Sequence, residues 1–186
     1  QLVVADTHTP MLLFSTRGMV YKSKVCKLPL GTPQARGRAL VNLLPLEEGE
    51  TISTVMPLPE DETRWSDMFV MFATSSGNIR RNRLSDFTSV MANGKIAMKL
   101  EEKGEQLIGV QTCSETDDVL LAARGGRSTR FAVADVRVFS SRTSTGVRVI
   151  SLGEGDRVVS MSILSHVEAD TTEREAYLRW SNARRR

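Results

Sequence analysis

The chain has 186 residues, of which 40% are apolar and 25% are charged, and its formal net charge is +3. This length allows a buried core in one domain or in a short array of modules, but the small net charge does not by itself indicate a nucleic-acid partner. A disulfide framework, a zinc site and a membrane span are all disfavoured, because Cys26 and Cys113 lack CxxC spacing, His8 and His166 have no ligand partners nearby, and no apolar run approaches about 18 residues.

The chain begins with what we interpret as the end of a preceding unit. Val3 and Val4 are predicted to belong to its last strand, within residues 1–10. The first residue is Gln1 and the last three residues are arginines, so both ends are predicted to be cuts through a longer protein. The cysteine usage and the lack of a signal sequence predict a reducing, cytoplasmic location.

Three copies of one pattern follow, and each copy contains three glycines at corresponding places. A basic residue stands four positions after the first glycine, apolar residues stand four and six positions after the second, and an acid follows the third at once. The first glycines are Gly18, Gly77 and Gly126, the second are Gly37, Gly94 and Gly146, and the third are Gly49, Gly104 and Gly155.

Each copy is predicted to contain four strands, because apolar residues spaced by two alternate with glycine turns. The first strand of each copy is predicted at residues 11–16, 68–74 and 119–123. Repeating four-stranded units are typical of propeller blades. We therefore predict an all-β, propeller-like fold with blades at residues 11–67, 68–117 and 118–164.

The C-terminal segment, residues 165–186, differs from the repeats and is predicted to be a charged helical insertion. Thr172 and Glu175 have capping-box spacing, and Tyr177, Leu178 and Trp180 follow among charged residues. A helix over residues 170–183 is therefore expected. Local packing between blades is favoured for it over a role as a second binding element.

Charge is sorted within each copy. Residues 7–46 carry six basic residues and no acid, whereas residues 47–76 carry seven acids and only Arg64 as a base. The same alternation recurs in residues 77–118. Residues 119–152 then contain six arginines and a single acid, Asp135. If the copies are arranged radially, the basic segments form a belt that suits a curved polyanion, although any single lysine or arginine could equally be a solvated strand residue.

Four stretches closely resemble the C-terminal domain of the DNA gyrase A protein. They are residues 4–8, 14–21, 35–46 and 146–156, and the resemblance extends over residues 1–164. It implies a β-pinwheel with six blades, of which about three are present here. It also implies a basic perimeter that wraps double-stranded DNA without sequence specificity, in support of ATP-dependent negative supercoiling.

The resemblance also implies which residues contact phosphate, and which partners and cofactors belong to the parent enzyme. Gyrase B and a second copy of gyrase A would be the protein partners in a heterotetramer, and ATP and magnesium would bind outside this chain. The family's sequence motif Gln-Arg-Arg-Gly-Gly-Arg/Lys-Gly is absent from this sequence. The most similar stretch is residues 34–38. The implied DNA-binding residues are Lys22, Lys24, Arg36, Arg38, Arg80, Arg81, Arg83, Lys95, Lys99, Arg127, Arg130, Arg142 and Arg148.

No catalytic site is expected within the chain. Strand cleavage in this class uses a tyrosine, but Tyr21 lies within a repeat strand and Tyr177 has no group nearby to activate it. Gly125-Gly126 lacks the Gly-Lys-Ser/Thr of a phosphate-binding loop, and the acid pairs Glu47-Glu48 and Glu101-Glu102 are interpreted as turn residues. Two alternatives remain, namely the equivalent domain of topoisomerase IV and a propeller-type protein-interaction module.

Overall fold

The computed structural model describes residues 4–59, 61–91 and 93–185. In these ranges the regular secondary structure is mainly short antiparallel strands, with one α-helix near the C-terminus. The elements are, in chain order, β1 (Pro10–Ser15), β2 (Met19–Lys24), β3 (Ile52–Pro57), β4 (Phe69–Thr74), β5 (Asn78–Arg83), β6 (Lys95–Ile96), β7 (Leu107–Cys113), β8 (Asp117–Ala123), β9 (Ser128–Ala132), β10 (Val147–Arg148), β11 (Val158–Ser165) and α1 (Thr171–Arg184).

Each repeat opens with a tight hairpin between its first two strands. The hairpins β1–β2, β4–β5 and β8–β9 turn at Gly18, Gly77 and Gly126, whose φ angles are 78°, 86° and 87°. Residues with a side chain rarely adopt this left-handed conformation, so glycine is required at these turns. The predicted first strands are confirmed to within two residues at either end.

The strands form three sheets that lie side by side. Their strand orders are β3-β1-β2-β6, β10-β5-β4-β7 and β11-β8-β9. Strand β7 contacts both β3 and β11, so the three sheets meet along these strands, which we call the inner edge. Strands β6, β10 and β9 stand at the opposite side of their sheets, which we call the outer edge. This arrangement confirms the all-β, propeller-like prediction.

The core fills the spaces between neighbouring sheets. Phe14, Phe72 and Phe87 are fully buried between the first two sheets, with ring centroids 5.6 to 6.1 Å apart. A second cluster, which includes Met71 and Leu121, lies between the second and third sheets. Because both faces of β1 and β4 are covered, these strands are continuous apolar runs without alternation.

The fourth strand of each of the first two sheets comes from the following repeat. Strand β6 belongs to the second repeat but pairs with β2 of the first, and β10 belongs to the third repeat but pairs with β5 of the second. We call this arrangement the strand exchange. The prediction that a repeat's own four strands form one blade was therefore wrong for this strand. The close contact of Gly146 with β5, where an added Cβ would lie 2.1 Å from the Ile79 carbonyl oxygen, shows how tightly the exchanged strand is seated.

The two ends of the chain depart from the sequence-based expectations. Val3 lies outside the described residues, and Val4 is exposed and not in a strand. Helix α1 is confirmed, but its capping box is formed by Asp170 and Glu173, two residues before the predicted pair. No residue of α1 is buried against the rest of the described chain, and the expected local packing between blades stays a prediction.

Candidate nucleic-acid interface

The basic residue that recurs four positions after each opening glycine is held by an acid in all three repeats. Lys22 Nζ lies 2.9 Å from Glu62 Oε1, and Arg81 Nη1 lies 3.5 Å from Glu115 Oε1. Arg130 forms an ion pair with the buried carboxylate of Asp118. The recurrence that suggested phosphate contacts at Lys22, Arg81 and Arg130 therefore reflects, at least in part, ion pairs within the protein.

Arg80 is a structural residue. It is 0% exposed, and its guanidinium lies over the Phe72 ring at 4.9 Å. Burial lowers the pKa of Arg80 to about 10, which still leaves it charged at neutral pH. The prediction that Arg80 contacts phosphate is contradicted by this enclosure. Arg81, at 4% exposed, is also nearly enclosed, so replacing Arg80, Arg81 and Arg83 together would test folding more than DNA contact.

The exchanged strands bring exposed or half-exposed basic residues to the outer edge. Lys95 lies on β6, and Arg148 lies on β10. Arg148 is ion-paired with Glu102, but both side chains are more than half exposed, and such surface pairs contribute at most about 1 kcal/mol. Arg148 is therefore available to an external polyanion, whereas Lys95 is half-buried.

The remaining predicted residues lie at several places. Arg36 and Arg38 are exposed on the loop that precedes Leu40, and Lys24 is exposed at the end of β2. Arg83 and Arg127 are exposed and each donates to a backbone carbonyl, that of Ser66 and of Ser151 respectively. Lys99 is exposed, 3.9 Å from Glu101, and Arg142 is half-buried beside Arg80.

The acids that follow the third glycines hold the turns in place. Glu50 accepts hydrogen bonds from the Tyr21 hydroxyl and the Glu47 amide, and Asp156 accepts from the Gly125 amide. Glu105 accepts from the Glu101 and Glu102 amides and from the Ser76 hydroxyl. Turn roles for the acid pairs at residues 47–48 and 101–102 agree with this geometry.

Replacing Glu105 with glutamine is expected to lower the unfolding temperature by about 2–4 °C at neutral pH, the equivalent of about 1 kcal/mol for a chain of this size. Burial alone would raise the pKa of Glu105, but hydrogen bonds from Ser76, Thr74 and the backbone outweigh it and lower the pKa. A lowered pKa means that the carboxylate stabilises the fold at neutral pH and that this contribution is lost as pH falls through the folded-state value.

The measurement is the unfolding temperature of the parent and of Glu105→Gln from about pH 7 to about pH 3. The difference between them should shrink as the pH falls. The matched control is Glu154→Gln, at an exposed acid of the corresponding turn in the third repeat. Equal pH profiles for all three proteins would contradict the role given to Glu105.

The two tyrosines lie in different surroundings. Tyr21 is 2% exposed, and its hydroxyl donates to Glu50 Oε1 at 3.2 Å. Burial and the neighbouring Glu50 and Glu47 raise the pKa of Tyr21 to about 12, so the phenol stays protonated. Tyr177 is exposed on α1, with its ring 5.9 Å from that of Trp180.

Sequence reasoning missed Lys27 as a candidate contact. It is exposed in the short 3₁₀ turn Val25–Lys27 that follows β2. The signal was available, because the corresponding position of the other two repeats holds an acid, Asp86 or Asp135. A reversal of charge at one repeat position marks a place where the first repeat departs from the others.

The chain is similar to known proteins over nearly its whole length. A family model described as "DNA gyrase C-terminal domain, beta-propeller" matches residues 10–59, 69–114 and 117–165, which follow the three repeats. The DNA gyrase A protein of Granulibacter bethesdensis is 54% identical over 184 residues, which cover 98% of this chain and 20% of that protein. The chain thus spans about a fifth of the length of the curated relatives it matches.

Two solved structures are also similar. The C-terminal domain of DNA topoisomerase IV matches with a TM-score of 0.76 at 21% identity, over 87% of this chain and 49% of that one. A DNA gyrase A C-terminal domain matches with a TM-score of 0.64 at 25% identity, over 84% and 48%. The topoisomerase IV likeness shows the fold alone, whereas the sequence match is to gyrase. None of the described helices is long and apolar enough to cross a membrane. The three matched segments, the sheets they form and the identity to gyrase A together show that the chain belongs to the DNA gyrase C-terminal domain family.

Proposed function

We propose that the chain binds duplex DNA along its outer edge and bends it around the blades without cutting it. The observation that carries the proposal is the strand exchange, which brings Lys95 and Arg148 to the outer edge of two consecutive sheets. The exposed side chains of Lys24, Arg83 and Arg127 would provide further phosphate contacts. Family membership supports DNA as the polyanion.

Distributed lysines and arginines suit this task energetically. Bending 20 to 30 base pairs by 40 to 90° costs on the order of 1 to 6 kcal/mol, and many phosphate contacts must offset that cost. Contacts to the DNA backbone position a duplex without reading its sequence. Each further blade lengthens the curved track.

We further propose that the chain serves a larger gyrase-type enzyme. There the wrapped duplex would support ATP-dependent negative supercoiling, together with gyrase B and a second copy of gyrase A. ATP and magnesium would bind elsewhere in that assembly. We propose a cytoplasmic, chromosome-associated location, where such an enzyme meets its DNA.

The proposal is tested by measuring how the affinity for DNA depends on salt. Fluorescence anisotropy with a duplex of about 40 base pairs and a scrambled-sequence control should show a steep fall in affinity as salt rises, equal for both sequences. An affinity that stays nearly constant with rising salt would favour the protein-interaction alternative. Strong preference for one sequence would contradict backbone binding.

Neutralising Lys95 and Arg148 together is expected to flatten the salt dependence. Each lost phosphate contact removes about 0.9 from the slope of log affinity against log salt, so Lys95→Gln with Arg148→Gln should lower it by about 2 for any sequence. The control is Lys103→Gln, an exposed lysine within the acidic turn at residues 101–105. An unchanged slope in the double variant would place the DNA elsewhere on the chain.

A further inference from the structure

A cleft of about 410 Å³ opens at the end of β2 in the first repeat. Its lining includes His8, Lys22, Ser23, Lys24, Lys27 and Glu62. The 3₁₀ turn Val25–Lys27 is held against the segment before β1 by two backbone hydrogen bonds, from Val25 to Thr9 at 3.2 Å and from Cys26 to Thr7 at 2.7 Å. The walls that carry His8 and Lys27 are therefore fixed relative to each other.

The charges in the cleft do not cancel. Among the described residues that line the cleft, Glu62 is the only one with a carboxylate. It lies 2.9 Å from Lys22 Nζ, which also donates to the Thr88 carbonyl at 3.0 Å. Over residues 4–59, 61–91 and 93–185, no carboxylate lies within 4.0 Å of the Lys24 or Lys27 ammonium group. Two exposed cations thus border the same open space without an acidic partner in the described structure.

The other repeats do not reproduce this arrangement. At the position of Lys24 they have Arg83 and Ala132, and at the position of Lys27 they have Asp86 and Asp135. Asp86 accepts a hydrogen bond from the Asn82 side chain at 3.2 Å, so in the second repeat this position serves the fold. The paired cations are a local property of the first repeat.

We propose that this cleft is a subsite for a backbone phosphate of duplex DNA, with the Lys24 and Lys27 ammonium groups as its charged donors. The inference rests on the proposed DNA binding. It adds one phosphate contact site that is found in the first repeat and not in the other two. Two lysines that line one cleft can both contribute charge to a phosphate bound there, whereas a lone lysine on a strand contributes one charge.

The first test compares two double variants with the same loss of charge. Lys24→Gln with Lys27→Gln is expected to weaken binding of a duplex of about 40 base pairs about tenfold at moderate salt and to lower the salt slope by about 2. Lys103→Gln with Arg157→Gln removes two exposed cations near the turn at residues 101–105 and should leave the slope within experimental error. Circular dichroism melts of each variant confirm that the fold is intact.

The second test uses a thiol that the chain already has. Cys26 is exposed beside Lys27, whereas Cys113 is buried and burial raises its pKa to about 12. Bound duplex should slow alkylation of Cys26 in the parent protein severalfold, and the protection should be lost in Lys24→Gln with Lys27→Gln. If the parent binds DNA but Cys26 is not protected and the slope does not change, the cleft is not a subsite. If the parent does not bind DNA at all, both the cleft and the proposed function are wrong.

Discussion

Replacing Arg80 with methionine is expected to destabilise the protein by about 3–5 kcal/mol, the range seen when one partner of a buried charged network is removed. The Arg80 guanidinium donates to Asn82 Oδ1 at 2.6 Å, to the carbonyls of Arg142 and Ser144 at 2.7 and 2.6 Å, and to the carbonyl of Ala97. Methionine would fill much of the volume, but these oxygens would remain buried without a donor.

The effect should be large because Arg80 joins both exchanged strands. Ala97 directly follows β6, and residues 142–144 precede β10. The Arg80 side chain therefore hydrogen-bonds to the backbone next to both exchanged strands. Lysine cannot replace it, since an ammonium group lacks the planar set of donors that reaches several carbonyls at once. The Arg80 side chain is therefore expected to be the strongest single polar contribution to this region.

Urea unfolding measures the loss, with Arg83→Met as the matched control. Arg83 lies on the same strand but is exposed, so its replacement should change the free energy of unfolding by no more than about 0.5 kcal/mol. Both variants should keep the parent's dependence on denaturant if the unfolded state is unchanged. Equal midpoints for Arg80→Met and Arg83→Met would show that the network is dispensable.

Gly146→Ala is expected to have the second largest effect, at least about 3 kcal/mol, because it combines backbone strain with a steric clash. The φ angle of Gly146 is +87°, and an added Cβ would lie 2.1 Å from the Ile79 carbonyl oxygen and 3.1 Å from Arg80 Cβ. The clash is with backbone, so it cannot be relieved by rotating a side chain. Strand β10 would have to move away from β5.

Gly155→Ala separates the two causes. Its φ is +71°, but nothing lies within 4 Å of the added Cβ, so it should show only the strain, about 1–2 kcal/mol. Hydrogen exchange gives a local readout, because the Val149 amide donates to the Gly77 carbonyl at 3.1 Å beside β10. Exchange at Val149 should accelerate in Gly146→Ala only. Similar losses of stability in both variants would mean that the contact with Ile79 is relieved at little cost.

The local pattern of the sequence was enough to predict the repeats and their first strands. Glycines at fixed spacing specify the turns, and apolar residues specify the buried strands, so both signals lie within a few residues of the elements they form. The exchange was missed because β6 and β10 are two residues long and the partner of so short a strand is set by tertiary contacts. The capping box was misplaced because Asp170 and Thr172 offer overlapping signals.

The candidate site was predicted less well than the fold. In β5 the adjacent residues Arg80 and Arg81 are both buried, since both faces of the strand are covered, and alternation along the strand gives no warning of this. The acids that hold Lys22 and Arg81 come from separate segments, Glu62 and Glu115, whose proximity only the fold reveals. Charge sorting also suggested phosphate contacts for Lys95, Arg148 and the exposed Lys24. For these three residues the contact stays a prediction.

The strand exchange also sets how the number of blades can change. The second repeat gives β6 to the first sheet and receives β10 from the third repeat, so one strand leaves it and one enters its sheet. Deleting or duplicating one complete repeat removes or adds one exchanged strand and one sheet that receives a strand, so their numbers stay matched. A deletion that ends within a repeat leaves one sheet short of a strand and one strand without a sheet. Gain or loss of whole repeats is thus the low-cost route by which such a chain can change its length.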